Sequence, residues 1–235
     1  MQASDRLIVA LDLSSRDEIL RVVDELRGSV GMFKVGLQAF SANGPSLVRE
    51  IVASGEKVFL DLKIHDIPNT AEHAVAEADA LGASIVTVHA SGGEAMLRAC
   101  AQTRALVLAV TVLTSLDDAD VSRIGFNGSV VESAVRLARL AKSAGLRGVV
   151  ASPREIFAIR DACGPDFVIL TPGIRPAGDA AGDQRRTMTP RDAIDAGADY
   201  IVVGRPITNA KSRREAALRI VDEMSLDLRS GLARA

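Results

Sequence analysis

Short apolar runs rich in β-branched residues alternate along this chain with longer stretches whose apolar residues recur at helical spacing. The short runs are Leu7–Asp12, Met32–Gly36, Lys57–Lys63, Ile85–Ala90, Leu106–Leu113, Gly148–Ser152, Phe167–Gly173 and Tyr200–Arg205. Each is almost continuously hydrophobic, the signature of parallel strands covered on both faces. Helical patterns lie at Arg16–Leu26, Asn69–Leu81, Ser129–Ala144, Pro153–Ala162, Thr189–Ala196 and Asn209–Met224. Pro68 suits a helix start and Ser152 an N-cap. Gly28, Gly55, Gly82, Gly145 and Gly197 stand where helices should end or strands begin. Eight strand–helix alternations predict an α/β protein, a (β/α)8 TIM barrel closed by right-handed crossovers. The competing open doubly wound sheet lacks its G-x-G-x-x-G after the first strand.

Length and composition agree with one such domain over residues 1–235, its polar tail at 226–235 expected to fray. The 235 residues are 48% hydrophobic and 3% aromatic, with no Trp, so a core of Val, Ile, Leu and Ala is expected. The net charge of −2 and the scattered Lys and Arg argue against nucleic acid as a partner. No apolar run reaches the roughly 18 residues of a membrane span. Nor does the N-terminus read as a signal peptide. Cys100 and Cys163 stand apart in predicted helices, as reduced thiols of a cytoplasmic protein would.

Barrel chemistry belongs at the C-terminal ends of the strands. The strand-three run Asp61-Leu62-Lys63-Ile64-His65-Asp66 places Asp61 and Lys63 on one face, because residues two apart in a strand point the same way. Lys34, ending strand two, can reach the same spot. The alternative is an ion pair that only pins the barrel; against it, Lys-Asp-Lys leaves a charge to spare for an anionic or polar ligand. Strand eight ends Gly204-Arg205 before a helix, and an outsized connection, Gly173–Pro190, follows strand seven with Gln184, Arg185 and Arg186. Loops this long are commonly lids, and barrels commonly bind phosphate near strands seven and eight. Together they point to a phosphorylated small molecule. Asp12 could accept hydrogen bonds from sugar hydroxyls or cap the first helix, with Ser14 and Ser15 competing for the cap. His65, His73 and His89 do not stand at metal-ligand spacing.

Several strings carry a resemblance to a known family: IVALD (Ile8–Asp12), FKVG (Phe33–Gly36), FLDLKIHDIPNT (Phe59–Thr70), AVTVLTS (Ala109–Ser115), TPGIRP (Thr171–Pro176), GDQRR (Gly182–Arg186) and VVGRPIT (Val202–Thr208). They follow the order of the orotidine 5′-phosphate decarboxylases and cover nearly the whole chain. A lone D-x-K-x-x-D is also found in related magnesium-dependent sugar-phosphate barrels; DLKIHDIPNT with GDQRR is what resembles the decarboxylases. The resemblance implies decarboxylation of orotidine 5′-monophosphate without metal or organic cofactor. It implies that Asp12 and Lys34 contact the ribose, Asp61 faces the substrate carboxylate and Lys63 protonates C6. Thr114 would lie at the pyrimidine; Gln184, Gly204 and Arg205 would hold the phosphate, with Arg175 in the lid. Asp66 and Thr70 would enter the neighbouring subunit's site, making a homodimer. A magnesium-dependent sugar-phosphate enzyme on the same barrel and a non-catalytic nucleotide-binding module are the competing readings.

Overall fold

The computed structural model describes residues 1–176 and 187–225. All eight expected strands form: β1 (Leu7–Ala10), β2 (Met32–Gly36), β3 (Val58–Ile64), β4 (Ile85–His89), β5 (Leu106–Val110), β6 (Gly148–Val150), β7 (Val168–Thr171) and β8 (Tyr200–Val203). Each pairs in parallel with the next, and β8 returns to β1 through Leu7↔Ile201 and Ile8↔Val202, closing the barrel. The fold is therefore the single-domain (β/α)8 barrel that the alternation predicts. No helix among the described residues is long and apolar enough to cross a membrane.

Strand periodicity divides the apolar residues into two sets. Ile8, Ala10, Phe59, Leu108, Val110 and Val202 face inward and pack in one cluster inside the barrel. Their neighbours in sequence, such as Leu7, Val9, Leu60, Ala109 and Val203, face outward and pack against the helices. Fully burying a side chain such as Ile8 contributes roughly 1.5–3 kcal/mol. Branched aliphatics thus form two concentric layers, with Phe59 as the large ring inside. The inward parity continues past the apolar layer into Asp12, Lys34, Asp61, Thr87 and Gly204, so the alternation that fills the barrel also aims its polar rim.

Several boundaries differ from the sequence reading. β1, β5, β6, β7 and β8 end two or three residues earlier than expected, because pairing stops before the extended, inward-facing residues do. Three helices between strands lie where the sequence pattern predicts none, Leu37–Asn43, Pro45–Ala53 and Asp118–Arg123, and the helix expected around Cys100 spans Gly93–Cys100. The first two are one connection broken at Gly44 (φ 67°) and Pro45, leaving neither half long enough to show a clear period. The helix expected at Asn209–Met224 is instead a turn of helix at Arg205–Thr208 followed by Arg213–Ser225. The expected frayed tail lies outside the described residues. The five helix-ending glycines all have φ between 71° and 106°, as the left-handed closure requires.

The N-terminal end of the barrel is closed by two arginines. Arg160 donates to the carbonyls of Gly164 (2.9 Å), Pro165 (2.9 Å), Phe167 (2.6 Å) and Gly197 (2.7 Å) and to Asp199 Oδ2 (2.8 Å). That same Asp199 oxygen accepts from the Ile169 N–H at 2.8 Å, tying the start of β8 to β7. Arg6 donates to the carbonyls of Ala198 and Asp199 and ties in the chain's first turn. Replacing Arg160 by Met keeps the stem but leaves these acceptors without their donor. The expected loss is about 2–4 kcal/mol, read as a lower urea midpoint with an unchanged slope. Ligand affinity at the opposite mouth should not move.

Candidate active site

The C-terminal mouth of the barrel opens into a cavity of about 640 Å³, within the usual range for small-molecule sites. Its floor is the inward apolar layer: Ala10, Phe59, Val110, Val150, Leu170 and Val202. Above that floor stands a chain of alternating charges. Asp61 Oδ2 is 2.8 Å from Lys63 Nζ and 3.7 Å from Lys34 Nζ, and Lys34 Nζ donates to Asp12 Oδ1 at 2.9 Å. The side chains of Asp61 and Lys34 are only 11% and 12% exposed, whereas Asp12 is 56% exposed. The surplus positive charge expected from Lys-Asp-Lys is therefore corrected: Asp12 joins the chain and balances it. Pairing along its whole length offsets the desolvation that would otherwise disfavour buried charges.

Ser15, not Asp12, caps the helix Arg16–Leu26, accepting from the Glu18 N–H at 3.4 Å. That frees the Asp12 carboxylate to face Lys34 and the cavity. Gly36, two residues past Lys34 and so on the same face, leaves room for this pair. A β-carbon there would lie 2.7 Å from Lys34 Nζ and 3.3 Å from Asp12 Oδ1.

Lys63 is the one non-glycine residue among those described with positive φ (53°), a conformation costing of order 1–3 kcal/mol that persists only where the surroundings enforce it. It lies in an irregularity of β3. Leu60 faces Val86 on β4, but Ile64 faces Val88, so four steps along β3 match two along β4. The buried Thr87 hydroxyl bridges this irregularity, accepting from the Lys63 N–H at 3.0 Å and donating to Asp61 Oδ1 at 2.9 Å. Thr87 escaped the sequence reading. Its available signal was its inward parity, two residues before His89 on β4.

Thr114, Arg175, Gly204 and Arg205 line the same cavity as Asp12, Lys34, Asp61 and Lys63. Arg205 opens the short helix after β8 rather than ending the strand. Arg175 stands where the long connection leaves the barrel: its N–H donates to the Met188 carbonyl at 3.0 Å, beside an Ile174↔Met188 bridge. Gln184, with Arg185 and Arg186, lies outside the described residues. Asp66 and Thr70 are exposed and do not line the cavity; Asp66 Oδ1 accepts from the Ile67 N–H at 2.7 Å. Among the described residues, no three His, Cys, Asp or Glu side chains gather so as to hold a metal ion.

His65 and His89 lie beside the charged chain, their rings 5.3 Å apart and tilted by 39°. The His89 imidazolium is disfavoured first by burial, then by His65 and Lys63, with Asp61 opposing, so its pKa lies below the ordinary value.

The sequence model of the orotidine 5′-phosphate decarboxylase / HUMPS family matches residues 5–220 of this chain. The chain is 51% identical over 246 aligned positions to the orotidine 5′-phosphate decarboxylase of Heliobacterium modesticaldum, covering 100% of both chains. Among solved structures, it is similar to the orotidine 5′-phosphate decarboxylase of Lactobacillus acidophilus. That likeness has a TM-score of 0.83 and 35% identity, over 93% of this chain and 98% of the other. The enzyme of Pyrococcus horikoshii OT3 gives a TM-score of 0.77 at 29% identity, over 93% and 99%.

Because the folded state holds the His89 pKa down, the unfolded chain binds more protons as pH falls through the ordinary histidine range. The His89 contribution to stability should therefore be present above that range and decline below it, levelling off under the folded pKa. With three histidines in the chain, imidazole NMR can follow each one. The His89 midpoint should lie below a free histidine's, rise in Lys63→Ala and fall further in Asp61→Asn.

Proposed function

Since the chain belongs to the orotidine 5′-phosphate decarboxylase / HUMPS family, we propose that it converts orotidine 5′-monophosphate to uridine 5′-monophosphate and CO2, a step of de novo pyrimidine synthesis. The observation that carries this reading is the Asp61 carboxylate held between Lys63 and Lys34 over an apolar floor. Breaking the bond from C6 to the carboxylate leaves its electron pair on C6, where the ring offers no electron sink. The Lys63 ammonium meets the charge as it develops and delivers its proton to C6. CO2 departs, and the Lys63 amine recovers a proton from solvent. An ammonium fixed at that place binds the transition state better than the ground state. The substrate carboxylate arrives against Asp61, and the repulsion between the two is relieved as CO2 leaves.

The remaining roles follow the cavity. Asp12 and Lys34 take the ribose hydroxyls, and Thr114 the pyrimidine. The Gly204 backbone and Arg205 take the phosphate, with Gln184, and Arg175 belongs to the segment that closes over it. Phosphate binding supplies the energy that holds the two carboxylates together. This chemistry asks nothing of a metal. A magnesium-dependent sugar-phosphate reaction would need Asp61 as a ligand, and two ammonium groups already crowd that carboxylate. A simple nucleotide-binding module would have no use for Asp61 facing an anion. A cytoplasmic location fits the free, buried thiols of Cys100 and Cys163.

The unit of function in this reading is a homodimer, with Asp66 and Thr70 reaching the neighbouring site. Supporting it, both residues are exposed and neither is among the described residues that line the cavity, and the adjacent Ile67 is an apolar side chain left 67% exposed.

Adding purified protein to orotidine 5′-monophosphate should bleach the orotidylate absorbance, with EDTA present as without it. Lys63→Ala should slow this roughly 10²–10⁴-fold while leaving the melting temperature and uridine 5′-monophosphate affinity close to wild type. Near-normal turnover in that variant would remove Lys63 from the chemistry. Sharing of the sites is tested by mixing Lys63→Ala with Asp66→Asn after dissociation. Random pairing makes half the dimers mixed, each with one intact site of two, so activity should return to about one quarter of wild type. Mixed dimers no more active than their parents would assign Asp66 to its own chain's site.

A further inference from the structure

β4 reads Ile85-Val86-Thr87-Val88-His89, a run in which Thr87 passes for one more β-branched strand residue. Its parity is inward, with Ile85 and His89, and it is 0% exposed. A hydroxyl so placed must find partners, and it carries one proton and two lone pairs to do so. Both bonds go to the same feature. The proton goes to Asp61 Oδ1 at 2.9 Å, and a lone pair takes the Lys63 N–H at 3.0 Å. The other oxygen of that carboxylate meets Lys63 Nζ at 2.8 Å. The four groups close a ring: Lys63 N–H to Thr87, Thr87 to Asp61, and Asp61 to the ammonium of the same Lys63. Backbone and head group of one lysine are thus fixed through a single carboxylate.

The ring explains how β3 tolerates Lys63 in a conformation that disfavours a side chain. The register shift takes Lys63 out of the β3–β4 ladder, where its N–H would otherwise bond a carbonyl. Thr87 supplies the acceptor. Thr87 does not line the cavity, so it does not meet a ligand there.

We propose that Thr87 is a positioning residue for the decarboxylation, setting the place of the Lys63 ammonium relative to Asp61 by holding both ends of the irregular segment; this rests on the reading of the site given above. A group that holds the proton donor in place acts on kcat and leaves KM little changed, since reacting geometry is far more sensitive to small displacements than is ground-state binding. The test compares Thr87→Val, which keeps the shape and removes the hydroxyl, with Thr87→Ser, which keeps the hydroxyl and removes the methyl. Thr87→Val should lower kcat roughly 10–100-fold, with KM within about threefold of wild type. Thr87→Ser should recover kcat to within about fivefold of wild type, a rescue that a purely structural role for the side chain does not give. Wild-type kcat in Thr87→Val, or a Thr87→Ser protein that melts normally yet turns over as slowly as Thr87→Val, overturns the inference and leaves the assigned reaction standing. Should Thr87→Val not fold, Thr87→Ser decides against wild type: kcat within about fivefold supports the inference, and a normally melting protein slowed more than about tenfold overturns it. If the wild type itself does not release CO2, the assigned reaction fails, and amide hydrogen exchange at Lys63 still judges the geometry. That amide should be protected in wild type and Thr87→Ser and exchange faster in Thr87→Val; equal protection in all three overturns the inference.

Discussion

The carboxylate of Asp61 is the contact on which the polar half of this barrel depends. It accepts from Lys63 and Thr87 and lies within ion-pair distance of Lys34, which in turn holds Asp12. Two aspartates and two lysines make a balanced chain, so an apolar barrel can carry four charges at its mouth without an uncompensated one below the surface. Without Asp61, two ammonium groups would face each other over an aliphatic floor, where the low effective dielectric magnifies their repulsion. The pairing also fixes the order of the groups around the cavity, with the most exposed carboxylate, Asp12, at the outer end of the chain.

The two ends of the barrel solve different problems. At the N-terminal end, Arg160 and Arg6 spend their donors mainly on backbone carbonyls of the β7 and β8 connections, and the result is closure. At the C-terminal end, side chains bond to one another and leave faces open to a cavity. The apolar cluster between the two keeps the layers apart. Closure and the polar mouth are therefore carried by separate sets of residues at opposite ends of the same barrel.

Much of this was legible in the sequence, because strand parity is a strong constraint. Near-continuous apolar runs located all eight strands, and residues two apart placed Asp61 and Lys63 on a common face. What stayed hidden was hidden for physical reasons. Thr87 looks like a strand former, and nothing in IVTVH tells a packed methyl from a bonded hydroxyl. The left-handed backbone at Lys63 cannot be read from a lysine, since the residue that normally advertises that conformation is glycine. Asp12 was ambiguous between cap and site because Ser14 and Ser15 follow it; only the Ser15 bond to Glu18 resolves the choice. The helices at Leu37–Asn43 and Pro45–Ala53 are too short, and too sharply divided, for their periodicity to emerge.

The mismatch between β3 and β4 has a parity of its own. Four steps against two is an excess of two residues, an even number, so β3 leaves the irregular segment with the same face inward as it entered. Ile64 therefore still packs outward with the helix layer, as Leu60 does. A segment longer or shorter by one residue would turn everything beyond it inside out, presenting Ile64 to the cavity and a neighbouring polar side chain to the aliphatic shell. A change of two residues at this point keeps the parity, whereas a change of one needs a further bulge to restore it.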